Sequence, residues 1–163
     1  MVDTIEIDGL TFRVTLEHDH DAGAPWDNID CLGIVSEWSG RAKEPGERVL
    51  NTARGGRRRF YDFAGAVAKA RRGGMNGPEA VEATTREYEW LHAWCGDRWH
   101  YVGVVVTLLD VDGNPTDVTD SVWAVEDDGD YAKVLAEELA NGLHSQYGHL
   151  DELTTTVRIR EAA

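Results

Sequence analysis

Two histidines alternate with two aspartates in the stretch EHDHDAGAPWDNID, residues 17–30. If the chain stays extended from residue 17, His18 and His20 project from one side, as paired imidazole ligands of a transition metal do on a strand, and Asp19 and Asp21 face away. A metal centre wants three or four ligands. The others would have to come from distant residues such as Asp27, Asp30 or His100, which the sequence does not bring near. Calcium fits less well, because DHDAG has its glycine at position five and the twelfth position of that loop is Asp30 instead of glutamate. DVDGNPTD has its glycine at position four. Both read more simply as acidic turns whose carboxylates cap backbone amides in water. We expect no metal and no cofactor, with His18 and His20 left as the residues of a metal-dependent alternative. Asp19, Asp21, Trp26, Asp27 and Asp30 then form an acidic loop suited to binding a partner, with Trp26 as its exposed aromatic.

A second group is basic. Arg54, Arg57, Arg58 and Arg59 precede Tyr61, a mixture of cation and aromatic found on nucleic-acid-binding surfaces. On a hairpin strand Arg57 and Arg59 share one face and Arg58 joins Phe60 on the other, which halves the cluster. Residues 41–72 hold ten of the sixteen Lys and Arg against three acids, a net +7, whereas the remainder is −21. Phosphate affinity rests on net neutralisation, so nucleic acid is an unfavoured partner and this segment is the alternative site. The overall charge of −14 favours basic partners through long-range steering. No phosphate-binding glycine loop, nucleophile elbow or histidine pair on a helix is present, and His92 and His100 stand alone, so no residue is assigned as catalytic.

The elements that must position these groups follow from periodicity. TIEI, an Asp8-Gly9 turn and TFRVTLEH read as a hairpin in which Phe12, Val14 and Leu16 alternate with Arg13, Thr15 and Glu17. Residues 19–30 read as a loop, IVSEW as a short strand or its continuation, and ERVLNT and RRRFYD as a second hairpin around ARGG. A helix begins near Asp62 as N-cap, packs Phe63, Val67 and Ala70, and stops at Gly73-Gly74. The next begins near Gly77-Pro78 with a stripe of Val81, Thr84, Tyr88, Leu91 and Cys95, beside which lie Trp90 and Trp94. RWHYVGVVVTLLDV is the central strand, and DGNP turns it into VTDSVWAV as a third hairpin. A third helix from about Asp130 repeats Tyr131, Leu135, Leu139, Leu143 and Tyr147 and stops at Gly148, and LTTTVRIR ends the sheet. The expected fold is a single α+β domain over residues 1–163, a mainly antiparallel curved sheet of hairpins packed against about three helices. Cys31 and Cys95 form no disulfide framework, MVDTIEIDG has acids where a signal peptide has basic and apolar residues, and VGVVVTLL is too short to span a bilayer. We therefore expect a cytoplasmic protein with no membrane partner.

PGERVL, RRFYDFAGAV, WCGDRWHYVGVVVTLLD and SVWAVEDDGDY resemble stretches of small acidic bacteriophage and prophage proteins of unassigned function. The resemblance runs from about Asp19 to the last helix and carries no catalytic residue with it. It implies a non-enzymatic protein that binds and inhibits a host protein; the acidic surface adds the expectation that the bound patch is basic, in one form with carboxylates in place of nucleic-acid phosphates.

Overall fold

The computed structural model describes residues 2–52, 56–127 and 129–148. In chain order the elements are β1 (Val2–Ile7), β2 (Leu10–His18), α1 (Pro25–Asn28), β3 (Val35–Ser39), β4 (Glu47–Thr52) and β5 (Arg57–Asp62). They continue with α2 (Phe63–Arg72), α3 (Gly77–Cys95), β6 (Tyr101–Leu109), β7 (Pro115–Glu126) and α4 (Tyr131–Tyr147). The α+β class, three antiparallel hairpins and three long helices agree with the sequence, but the strands form two sheets instead of one curved sheet. Contacts group the chain into two compact units, Met1–Ala22 with His100–Ala163, and Gly23–Trp99, each with its own core. The expected strand LTTTVRIR, and Arg54 within the ARGG turn, lie outside the described residues.

In the first unit the order β1-β2-β6-β7 is antiparallel throughout, so β2 and β6 pair although 77 residues of the other unit separate them in the chain. Period-two patterning assigns the faces: Phe12, Val14, Val102, Val104 and Val106 pack under α4, flanked by Leu10, Leu16, Leu108, Val118 and Val122. The helix meets them with Ala132, Ala136, Ala140 and Leu143, one position round from the expected leucine stripe, and Tyr131 is 63 % exposed. Alanine is the cause. Its small side chain lets a helix lie close to a sheet, while Leu135 and Leu139 splay to the flanks of the contact. The β1–β2 turn is Asp8-Gly9 with φ of 48° and 85°, the left-handed pair that a two-residue hairpin requires.

In the second unit β5 lies between β3 and β4. The Asp62 carboxylate caps α2 by accepting from the Gly65 amide at 2.8 Å, and Asn76 and Glu79 close a capping box on α3. The buried face of α3 is Ala80, Thr84 and Leu91, so Val81, expected in the stripe, is 46 % exposed. Glu87 shares that inner face. Its carboxylate accepts from the Leu32 and Gly33 amides at 2.8 and 3.0 Å and from the Tyr61 hydroxyl at 2.6 Å, pinning the loop before β3 to α3 and β5. Residue 33 has to be glycine there, because a Cβ would overlap the Tyr61 ring.

Candidate functional site

The basic segment is spoken for. Arg57 and Arg59 share a face of β5, as expected, and both reach Glu37 of β3 at 3.1 and 3.0 Å, which lowers the Glu37 carboxyl below its ordinary range. Arg59 also stacks on Trp26 and Trp94, 5.5 and 6.0 Å from their ring centroids. Arg41 forks onto Glu47 at 2.8 and 2.9 Å while covering Phe60. Arg58 remains exposed on the opposite face, but Tyr61, the aromatic meant to stack on a base, is fully buried. The nucleic-acid site thus loses its aromatic platform and two of its cations. The physical reason is that a strand of an inserted sheet turns alternate arginines toward a neighbouring carboxylate.

Trp26 is also not the exposed anchor the loop seemed to offer. Pro25 opens the short α1, and the Trp26 indole is half-buried, edge-on to Trp94 at 5.2 Å and packed on the second core. Trp90 stacks on the buried Trp99 at 4.8 Å. Of the six tryptophans, Trp38 and Trp123 are the exposed ones, at 52 % and 47 %. Asp27 and Asp30 lie in the second unit, with Asp30 paired to Lys69 at 2.8 Å, whereas Asp19 and Asp21 belong to the first. The loop of residues 17–30 is therefore divided between two units.

At one end of the first unit's sheet, where β2 ends, β6 begins and β7 ends, the remaining candidates come together. Pairing of β2 with β6 brings His100 beside His18, a contact the sequence alone does not predict. The rings of His18 and His20 stack at 4.4 Å with an interplanar angle of 29°, and those of His18 and His100 lie 5.2 Å apart at 51°. A metal ion sits near the plane of each imidazole that binds it, an arrangement that rings stacked face to face at 4.4 Å do not offer. Among the described residues no group of three or more His, Cys, Asp or Glu is arranged to hold a metal ion.

Asp19 organises this end. Its Oδ1 accepts from the Asp21 and Ala22 amides at 3.0 Å, an Asx turn, and its Oδ2 accepts from the Ala124 amide at 3.0 Å. Ala124 sits in a bulge: Trp123 and Ala124 together oppose Gly103 of β6, and Ala124 has φ of 59°, a left-handed conformation that costs a non-glycine residue on the order of 1–2 kcal/mol. The bulge lays the Trp123 indole on Gly103, where a Cβ would meet ring carbon Cε3 at 2.5 Å, and the indole N–H donates to Ser121 Oγ at 3.2 Å. Strain of this kind persists where the surroundings hold it, and it marks places where a side chain is being aimed. Trp123 forms one wall of an open hollow of about 500 Å³ lined otherwise by His18, Asp19, His20, Asp21 and Ala22.

The thiols offer no nucleophile. Burial first, then the charges of Glu87 and Asp30, push Cys31 up to about 11 against the pull of Lys69, and burial raises Cys95 against the pull of Arg59. Charge is also divided between the units. Residues 1–22 and 100–163 carry four Lys and Arg against nineteen Asp and Glu, while residues 23–99 carry twelve against eleven. Among the described residues no helix is long and apolar enough to cross a membrane. Compared with known proteins, the chain matches no family model, no curated protein and no solved structure.

Proposed function

We propose that this is a non-catalytic binding protein whose first unit engages a basic host protein, as a small phage-type inhibitor would, with carboxylates standing where a nucleic acid has phosphates. One observation carries the reading: nearly all the net negative charge belongs to the unit built on β1, β2, β6, β7 and α4, and the inserted unit is almost neutral. A surface so one-sided steers a basic partner to one part of the molecule. The strand ends concentrate it further. Asp3, Asp19, Asp21, Glu126, Asp127 and Asp130 gather at one end of the sheet, and Asp8, Asp110 and Asp112 at the other. Trp123, held at the first end, supplies the aromatic that anchors of protein interfaces favour. The self-pairing of Arg57 and Arg59 and the burial of Tyr61 weigh against nucleic-acid binding by the other unit.

The test is a nuclease-treated pull-down from host lysate followed by competition. A captured basic protein should be released by duplex DNA and by 0.5 M salt, and variants neutralising Asp21, Asp127 and Asp130 together should fail to capture it. Capture that survives those substitutions, or direct retardation of DNA by the protein itself, would contradict the proposal.

A further inference from the structure

The hollow beside Trp123 defines what kind of group the partner brings, given the acidic-surface reading on which this step rests. Its walls are an exposed indole, two stacked imidazoles and the carboxylates of Asp19 and Asp21, and among the described residues no Lys or Arg lines it. Asp19 spends its oxygens on three backbone amides, whereas Asp21 is exposed at the rim. The neighbouring hollow on Val122, Trp123, Glu126, Asp130, Tyr131 and Leu135 is different. There Asp130 already holds Lys133 at 3.0 Å, and the positive end of the α4 dipole opposes a cation.

We infer that the hollow of Trp123, His18, His20 and Asp21 seats an arginine guanidinium of the basic partner. A planar, delocalised cation stacks on an indole face while its edge N–H groups donate to a carboxylate, which a compact ammonium does less well. Neutral imidazoles present acceptors to the same edge. The rigid support of Trp123 by Gly103 and by the clasped bulge leaves little ordering to be done on binding. The groups facing the hollow are His18, His20, Asp19 and Asp21 from the end of β2 and the loop after it, and Trp123 from β7. His100 from the start of β6 lies behind His18 and 4.0 Å from the Asp127 carboxylate.

The experiment uses the full chain labelled with ¹⁵N, titrated with N-acetyl-arginine amide, its lysine counterpart and the uncharged isostere N-acetyl-citrulline amide. The Trp123 indole resonance, assigned by its loss in Trp123→Phe, should shift saturably with the arginine amide, more weakly with the lysine amide and not with the citrulline amide. Asp21→Asn should weaken binding about threefold, the range of one exposed cation–π or charge contact. Equal shifts with arginine and citrulline amides, or an unmoved indole at 50 mM ligand, would overturn the inference. A parallel titration with the decapeptide (Arg-Gly)5 separates the two levels. If the decapeptide binds the first unit and Trp123→Ala leaves its affinity unchanged, the hollow is not the seat although the acidic surface is. If the decapeptide does not bind at all, the acidic-surface reading fails with it.

Discussion

Replacing Asp19 with alanine removes a side chain that ties the turn after β2 to the bulge of β7. Three acceptances are lost. Those from Asp21 and Ala22 close a local, solvated turn and contribute roughly 0.5 kcal/mol each, while the bond from Ala124 spans 105 residues and offsets a left-handed alanine. Leaving that conformation without its partner exposes about 1 kcal/mol of strain, so the total loss is about 2 kcal/mol. For a chain of this length that is a fall in Tm of about 4–8 °C. Asp19→Asn keeps one acceptor and turns an amide N–H₂ toward a donor, and should lose about half as much. The companion variant separates strain from contact: Ala124→Gly, which removes the Cβ penalty at φ of 59°, should stabilise the protein by about 0.5–1 kcal/mol. In the Asp19→Ala background its gain should be no larger, because a bulge freed from the carboxylate can relax the left-handed alanine. Urea unfolding gives the free energies, and amide exchange at Ala124 reports whether the bulge has opened. A loss under 0.5 kcal/mol for Asp19→Ala, or a destabilising Ala124→Gly, would refute the picture of a strained bulge held by a carboxylate.

Further consequences lie in the inserted unit. Glu87→Ala strands two backbone amides and a buried hydroxyl and should cost about 3 kcal/mol, with strong coupling to Tyr61→Phe in a double-mutant cycle; additive effects would argue against the clasp. Thr84 is fully buried with a hydroxyl that finds no partner among the described residues, so Thr84→Val should stabilise by about 1 kcal/mol in chemical denaturation, and a loss would mean the hydroxyl is satisfied. With Cys31 raised to about 11, roughly one thiol in a thousand is ionised at pH 8, and iodoacetamide labelling should be about two hundredfold slower than for a free cysteine. Because the folded state disfavours that thiolate, stability from this group is complete below about pH 8.5 and is lost as pH rises toward 11. Fast labelling at pH 8, mapped to Cys31 by mass spectrometry, would contradict the assignment.

The elements were readable from the sequence wherever one local rule sufficed. Asp8-Gly9 announced its hairpin, Asp62 and Gly73 bounded α2, and the alternation of Phe12, Val14 and Leu16 marked the face under α4. The α3 stripe is legible at Thr84, Tyr88, Leu91 and Cys95 and fails only at Val81, whose place Ala80 takes, whereas on α4 leucine and tyrosine dominate the periodicity while Ala132, Ala136 and Ala140 pack beside Leu143. The site was harder because it depends on strand partners. His18 and His20 were visible as a pair, but His100 joins them only through the β2–β6 pairing, and Trp123 becomes prominent only once Gly103 is seen beneath it. The glycine inside the apolar run VGVVV was the available signal, since a glycine within a strand marks a bulge or a close approach. Glu87 carried no signal at all among thirty acids.

The central claim, that the first unit receives a basic partner, is tested most directly by mapping where an arginine-rich probe lands. Titrating (Arg-Gly)5 into the ¹⁵N-labelled protein at low salt should move resonances of residues 17–22, 100, 123, 126, 127 and 130, with affinity falling steeply as salt is raised and the amides of residues 57–62 unmoved. Perturbations spread over both units alike, or binding indifferent to salt, would contradict the account.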